Sequence, residues 1–252
     1  MSFAVRADAG LDFDGFVRLR QFSLEGSRLT LREDLGLSQW TSGGFDFGWR
    51  FDGRHALRAG FTGTRFRGLN TLDREVTHEG ATYPAGTQLK LDRSSWWHAE
   101  AWYQFTPWRN EHAELNLLGG VVLDLLDVWV VPNPRPADAP KDDHENFATA
   151  WLPLPALGMR LEVRPVAGLR LGVEARGTHV DNLSSWHTAG GRMRHSQTSL
   201  DAQLELGYRV AEVEFGVALR HRVFRIEQNN LEDGNEFSLQ GTQAGLFIRV
   251  VL

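Results

Sequence analysis

Two groups of residues in this 252-residue chain have the types and spacing for general-base chemistry. Asp142, Asp143 and His144 are consecutive, and His179 lies two residues before Asp181. A carboxylate beside an imidazole orients it, and a His–Asp pair facing further carboxylates could activate water. In an extended segment residues i and i+2 share a face, which puts His179 and Asp181 side by side. Such a site needs both clusters to converge, whereas the plainer reading is two solvated loops rich in Asp and His. His195-Ser196 and His221 have residue types for nucleophilic chemistry and nothing more. The nine His are otherwise scattered with no His-x-x-x-His spacing, and the chain has no Cys. No metal site, cofactor or disulfide is expected. Gly43-Gly44 and Gly190-Gly191 read as loop glycines, since no helix follows either pair.

A larger set of ionisable residues recurs at alternate positions: Asp46, Arg50, Arg58, Lys90, Asp92, His98, Glu100, Glu114, Asp124, Arg160, Glu162, Arg164, Arg170, Glu174, Arg176, Asp201, Glu205, Arg209, Glu214, Arg220, Arg222 and Arg249. Their signs are mixed. Alternation places them on one wall of successive β-strands, with apolar residues on the other. Facing the interior of a narrow barrel, opposite charges would pair and fill it, because an isolated buried charge is far too costly. A conducting, water-filled lumen is the alternative.

The segment 88–131 shows the pattern most fully. In its first half Leu89, Leu91, Trp97, Ala99, Ala101, Tyr103 and Phe105 oppose Lys90, Asp92, Ser94, Trp96, His98, Glu100, Trp102 and Gln104. After a polar turn at 106–111, Ala113, Leu115, Leu117, Gly119, Val121, Leu123 and Leu125 oppose His112, Glu114, Asn116, Gly120 and Asp124. Ten or more residues of such alternation suit a tilted strand crossing a bilayer, and exceed the ~5–6 residues of an ordinary strand. Comparable strands are expected at 11–22, 45–51, 55–67, 154–164, 169–180, 197–210, 212–226 and 238–252, with residues 1–10 as a leader into the first. In the first, Phe13, Val17 and Leu19 oppose Asp14, Arg18 and Arg20. Short turns at 52–54, 106–111, 165–168 and 210–212 alternate with long loops at 23–43, 68–86, 132–152, 182–195 and 228–236. That is the connection pattern of an outer-membrane barrel. A small hairpin is expected around 79–86, and the proline-rich loop 132–150 is expected to pair with nothing. The fold expected is all-β: one closed antiparallel up-and-down transmembrane barrel over 1–252, with ten strands. Twelve is the alternative if 28–37 and 72–79 also cross.

Composition sets limits around this reading. A mean hydropathy of −0.33 would suit a soluble protein, but a barrel apolar outside and polar inside averages the same way. A β-sandwich with its apolar walls face to face is the soluble alternative, for which shorter strands are expected. The net charge of −5 and the scattered Arg exclude a nucleic-acid footprint. Trp49, Trp97, Tyr103, Trp108, Trp129 and Trp151 are expected to anchor the two membrane interfaces, with a sugar-binding site as the alternative. No signal peptide opens the chain, so an exported protein would be present here in mature form, with a start Met added. The expected partners are outer-membrane lipid and lipopolysaccharide, with another envelope protein as a further one.

Two stretches carry a resemblance. Residues 153–158 read Pro-Leu-Pro-Ala-Leu-Gly ahead of Met159-Arg160-Leu161-Glu162-Val163-Arg164, and Gly80, Tyr83 and Gly86 precede the longest strand. In these the chain resembles a loose family of proteobacterial outer-membrane barrel proteins, over residues 45–252. The resemblance implies a closed outer-membrane barrel and brings no activity with it. One departure is the ending Ile248-Arg249-Val250-Val251-Leu252, where such barrels usually end in an aromatic residue. The expected role is structural or interactive, through the outer loops. A narrow channel and a rim hydrolase, of protease or lipid A-modifying type, are the alternatives. For the latter type, His195, Ser196 and His221 are matched only by residue kind.

Overall fold

The computed structural model describes residues 1–21, 26–78, 81–91, 94–134, 147–148, 152–184, 193–229 and 233–252. Ten long strands run antiparallel: β1 Ser2–Gln21, β2 Leu37–Arg50, β3 His55–Thr71, β4 Ser95–Arg109, β5 Ala113–Val128, β6 Leu154–Val163, β7 Leu169–Ser184, β8 Arg194–Val210, β9 Val213–Asn229 and β10 Asp233–Val251. Each pairs with its sequence neighbours, and β1 pairs with β10 from Ser2↔Val251 to Gln21↔Asp233, so the sheet closes on itself. Closure leaves no long edge and satisfies the backbone hydrogen bonds between strands, which a hydrocarbon environment demands.

The alternation does what the sequence pattern predicts on most strands. Phe45, Phe47 and Trp49 on β2, Leu157, Met159 and Leu161 on β6, and Leu200, Leu204 and Leu206 on β8 are exposed on the outside. Their charged neighbours point inward. Short turns and both chain ends lie at one end of the barrel, and the long connections at the other.

Several expectations are corrected. Residues 1–10 are the first half of β1, with Arg6 and Asp8 buried inside. A bulge between Gly10 and Asp12 flips the parity, so Phe13, Val17 and Leu19 turn inward rather than outward. The strand expected to begin at 88 is broken. Gln88–Leu91 is a separate short strand pairing with Thr71–Gly68 and with Val130–Asn133, and its Leu89 and Leu91 are buried while Lys90 is exposed. The full strand begins at Ser95 with the opposite parity inside. Pro132 pairs opposite Leu89, and Phe147–Ala148 pairs with the end of β5, so the proline-rich loop is not wholly unpaired. Thr106 to Arg109 belong to β4, and the turn narrows to 110–112; Pro107 falls in a register shift, where its missing N–H breaks no ladder. The expected hairpin appears as Val76–His78 paired with Ala81–Tyr83.

Residues 28–37 and 72–79 do not cross as strands. The first folds into the barrel mouth through a turn in which Asp34 accepts from the Thr30 N–H at 2.7 Å and from Arg74 at 3.0 Å. Leu29, Leu31, Leu35, Leu72 and Val76 are thereby buried with Val17, Trp40, Phe66, Leu89, Leu91, Trp96, Leu126, Phe224 and Phe237. The end of the barrel carrying the long connections therefore has an apolar core of its own.

Candidate functional site

Below this apolar plug, the interior is ionic. Strand register puts opposite charges directly across from one another: Arg160↔Glu174, Arg176↔Asp201, Asp201↔Arg222, Glu214↔Arg249 and His98↔Asp124. Such pairs lie within side-chain reach on one face of a sheet. Arg160 is the hub, reaching Glu174 at 2.8 Å, Glu205 at 2.9 Å and Glu162 at 3.5 Å. Arg170 bridges Glu205 and Glu214 at 2.7 and 2.6 Å, and Arg249 reaches the same two at 3.2 Å. Arg58 bonds Glu174 at 2.9 Å, and Arg50 grips Glu114 with both terminal nitrogens. Glycines at inward positions make room for these long side chains. A Cβ on Gly207 would meet Glu214 Oε1 at 2.2 Å, and one on Gly245 would meet Asp8 Oδ1 at 1.9 Å.

Between network and plug lies a mixed layer. Asp124 accepts from the Trp96 indole N–H, shares a proton position with His98 Nδ1 and accepts from Gln197 Nε2, each at 2.7 Å. His98 Nε2 faces Glu100 at 3.1 Å, and Glu100 in turn meets Arg176 at 2.5 Å. Asp201 is shared by Arg220 and Arg222, and the Arg222 guanidinium lies 4.8 Å from the Trp96 ring centre. Phe224 packs against that same Trp96, with ring centres 4.5 Å apart and planes tilted by 38°, joining the ionic layer to the plug.

The interior is not filled throughout. A cavity of about 770 Å³ occupies the short-turn end, lined by Arg50, Arg58, Arg160, Arg170, Glu174, Glu205, Glu214 and Arg249 among others. Its inner limit is set by Arg6, Arg176 and Gln203, above which Asp201, Arg220 and Arg222 close the section.

This geometry can be set beside known proteins. No family model and no curated protein matches the chain. Among solved structures, the outer membrane protease OmpT from Escherichia coli is similar over 100% of this chain and 97% of its own, at 9% identity and a TM-score of 0.51. The chain has the fold of a Gram-negative outer-membrane barrel. The transport unit of the autotransporter AIDA-I from Escherichia coli aligns over 100% and 91%, at 8% identity and a TM-score of 0.39. The translocator domain of the autotransporter NalP from Neisseria meningitidis aligns over 100% and 89%, at 11% identity and a TM-score of 0.37.

The barrel gathers most of the residues singled out by alternation. Asp46, Arg50, Arg58, His98, Glu100, Glu114, Asp124, Arg160, Glu162, Arg170, Glu174, Arg176, Asp201, Glu205, Arg220 and Arg222 all face its lumen. Lys90 does not, because the short strand carrying it has the reverse parity. Asp92 lies outside the described residues, as do Asp142, Asp143, His144 and Trp151. The ion pair Arg6–Asp8, at 3.0 Å, is an addition from the stretch read as a leader.

His179 and Asp181 do share the outer face of β7, but each is engaged by a hydroxyl of β8. His179 Nδ1 faces Thr198 Oγ1 at 2.8 Å, and Asp181 accepts from Ser196 Oγ at 2.7 Å. The adjacent His195 turns inward onto Gln228, and His221 meets Thr242 on the outer wall. These hydroxyl and imidazole groups are thus engaged in different pairs. Of the aromatics, Trp49, Trp97, Tyr103 and Trp108 are exposed on the outside, Trp129 is half-buried, and Trp96 and Trp102 are inside.

Proposed function

We propose that the protein is an outer-membrane barrel that does not conduct, serving as a structural or interaction element. The observation that carries this is the apolar plug. Leucines at 29, 31, 35, 89 and 91, with Trp40, Trp96, Phe224 and Phe237, leave almost no side-chain surface to water. They stack over an ionic layer whose charges are already paired. A dry constriction of this kind opposes ions, which would have to shed their hydration to enter. In this reading the outer wall meets outer-membrane lipid, including lipopolysaccharide, and the long connections meet the outside of the cell or another envelope protein. The short-turn end, with its cavity, faces the periplasm.

Incorporation into a planar bilayer tests the proposal. The native barrel is expected to give no discrete current steps, and the double variant Trp96→Gly, Phe224→Gly is expected to give them. Steady steps from the native protein would overturn the reading in favour of a narrow channel.

A further inference from the structure

We propose that the cavity at the short-turn end is a binding site for a small multivalent oxyanion, a soluble molecule bearing phosphate or carboxylate groups. The chain is net acidic and the cavity lining carries both signs, so composition alone points nowhere. The order of the charges decides it. The side chains of Glu114, Glu162, Glu174, Glu205 and Glu214 are only 4–11% exposed, each set behind at least one guanidinium. In front of them, the side chains of Arg50, Arg58, Arg164 and Arg249 are 30%, 20%, 40% and 17% exposed.

The carboxylates are also the more fully occupied partners. Glu205 receives Arg160, Arg170 and Arg249, and Glu174 receives Arg58, Arg160 and Arg176. Arg58 gives a single hydrogen bond from Nη1 to Glu174, leaving Nε and Nη2 of its five-donor fork available. Arg164 likewise uses one Nη2 bond to Glu162. Half-buried Asp46 and the exposed Glu111 at the rim oppose this set, as does the carboxylate of Leu252, which the Met1 ammonium meets at 2.9 Å. Four guanidiniums in a recess with low-dielectric walls focus a positive potential into it. The guanidinium fork matches phosphate and carboxylate geometry in two-point contacts. A volume of about 770 Å³ falls in the range of small-molecule sites.

The test is calorimetric titration of the purified, detergent-solubilised barrel with sodium pyrophosphate and, separately, sodium citrate at low salt. Saturable binding of one molecule per barrel is expected, weakening as NaCl is added. The two probes distinguish a phosphate site from a carboxylate one, and either result supports the proposal. Arg58→Gln combined with Arg249→Gln is expected to raise the Kd at least tenfold. Arg65→Gln with Arg67→Gln, on the exposed outer wall, is expected to leave it unchanged. Folding of each variant is read from its gel mobility before and after boiling. Should the cavity variants not fold, butanedione modification of the native barrel replaces them. Pyrophosphate should then shield Arg58 and Arg249 several-fold more than Arg65 and Arg67. Absence of saturable binding with both probes, an unchanged Kd in the folded cavity variant, or equal shielding of both arginine pairs would each overturn the proposal.

Discussion

Replacing Arg160 by Met keeps most of the side-chain volume and removes the charge at the hub of the lumen network. Arg160 contacts Glu162, Glu174 and Glu205, and all four side chains are about nine-tenths buried. Removing one member of a buried ion pair typically costs about 3–5 kcal/mol, because the remaining charge stays in a poor solvent. Summing three such terms would overstate the loss. Glu174 keeps Arg58 and Arg176, Glu205 keeps Arg170 and Arg249, and Glu162 keeps Arg164. The expected cost is therefore at the low end, about 3 kcal/mol. The control is Arg18→Met. Arg18 pairs with Glu236 at 3.0 Å on the outer surface, half exposed, and such a pair contributes ~0–1 kcal/mol. Reversible urea unfolding from lipid vesicles measures both variants. Equal losses, or a loss below about 1 kcal/mol for Arg160→Met, would refute the view that the lumen charges are a connected, desolvated network.

Phe224→Ala should cost ~3–5 kcal/mol in the same unfolding assay, since the ring is fully buried between Trp96 and Phe237 at the base of the plug. A loss under about 1 kcal/mol would mean the plug is loosely packed. Gly36→Ala should destabilise by more than ~1 kcal/mol, because Gly36 sits at φ +58° and a Cβ there would meet the Leu69 carbonyl oxygen at 2.3 Å. Its effect should show as faster hydrogen exchange over residues 26–37. In the β2–β3 turn, Asp52 accepts from the Arg54 and His55 backbone N–H groups at 2.6 and 2.7 Å, and the Arg54 bond chiefly holds its carboxyl below the usual range. A depressed pKa stabilises above the ordinary Asp range and is lost as pH falls through the folded value. Amide exchange at Arg54 and His55, corrected for intrinsic rates, should therefore be protected at pH 7 and lose protection below about pH 4. Asp52→Ala should abolish the difference.

The fold was legible because alternation is a local signal, and it failed where alternation is locally reset. From β6 to β9 the inward charges from Arg160 to Arg222 reached the lumen, since the register shift between Val180 and Leu183 falls beyond the charged inward positions of β7. On β1 the bulge beside Leu11 swaps faces within one strand. The even positions Ala4, Arg6 and Asp8 already alternate with Phe3, Val5 and Ala7, so the signal for this half was present. It was obscured because its phase disagrees with residues 13–19. The break after Leu91 did the same for Leu89 and Lys90. The plug was not legible at all. Its leucines at 29, 31 and 35 lie in a segment that reads as a polar loop, and only contact with the far side of the barrel gives them a core to join. Nor could residue order show which charges of the network stand in front. That depends on depth within the lumen, which strand tilt and register set together.

The account turns on a lumen open at the short-turn end and closed at the other, and cysteine labelling tests both at once. The chain has no Cys, so Asp46→Cys places a single thiol at a half-buried position on the inward wall of the cavity. In vesicles holding the barrel in one orientation, a membrane-impermeant maleimide should label this position rapidly from the short-turn side and not from the long-loop side. Comparable labelling from both sides would mean a continuous water path past Trp96 and Phe224, and would contradict the sealed barrel.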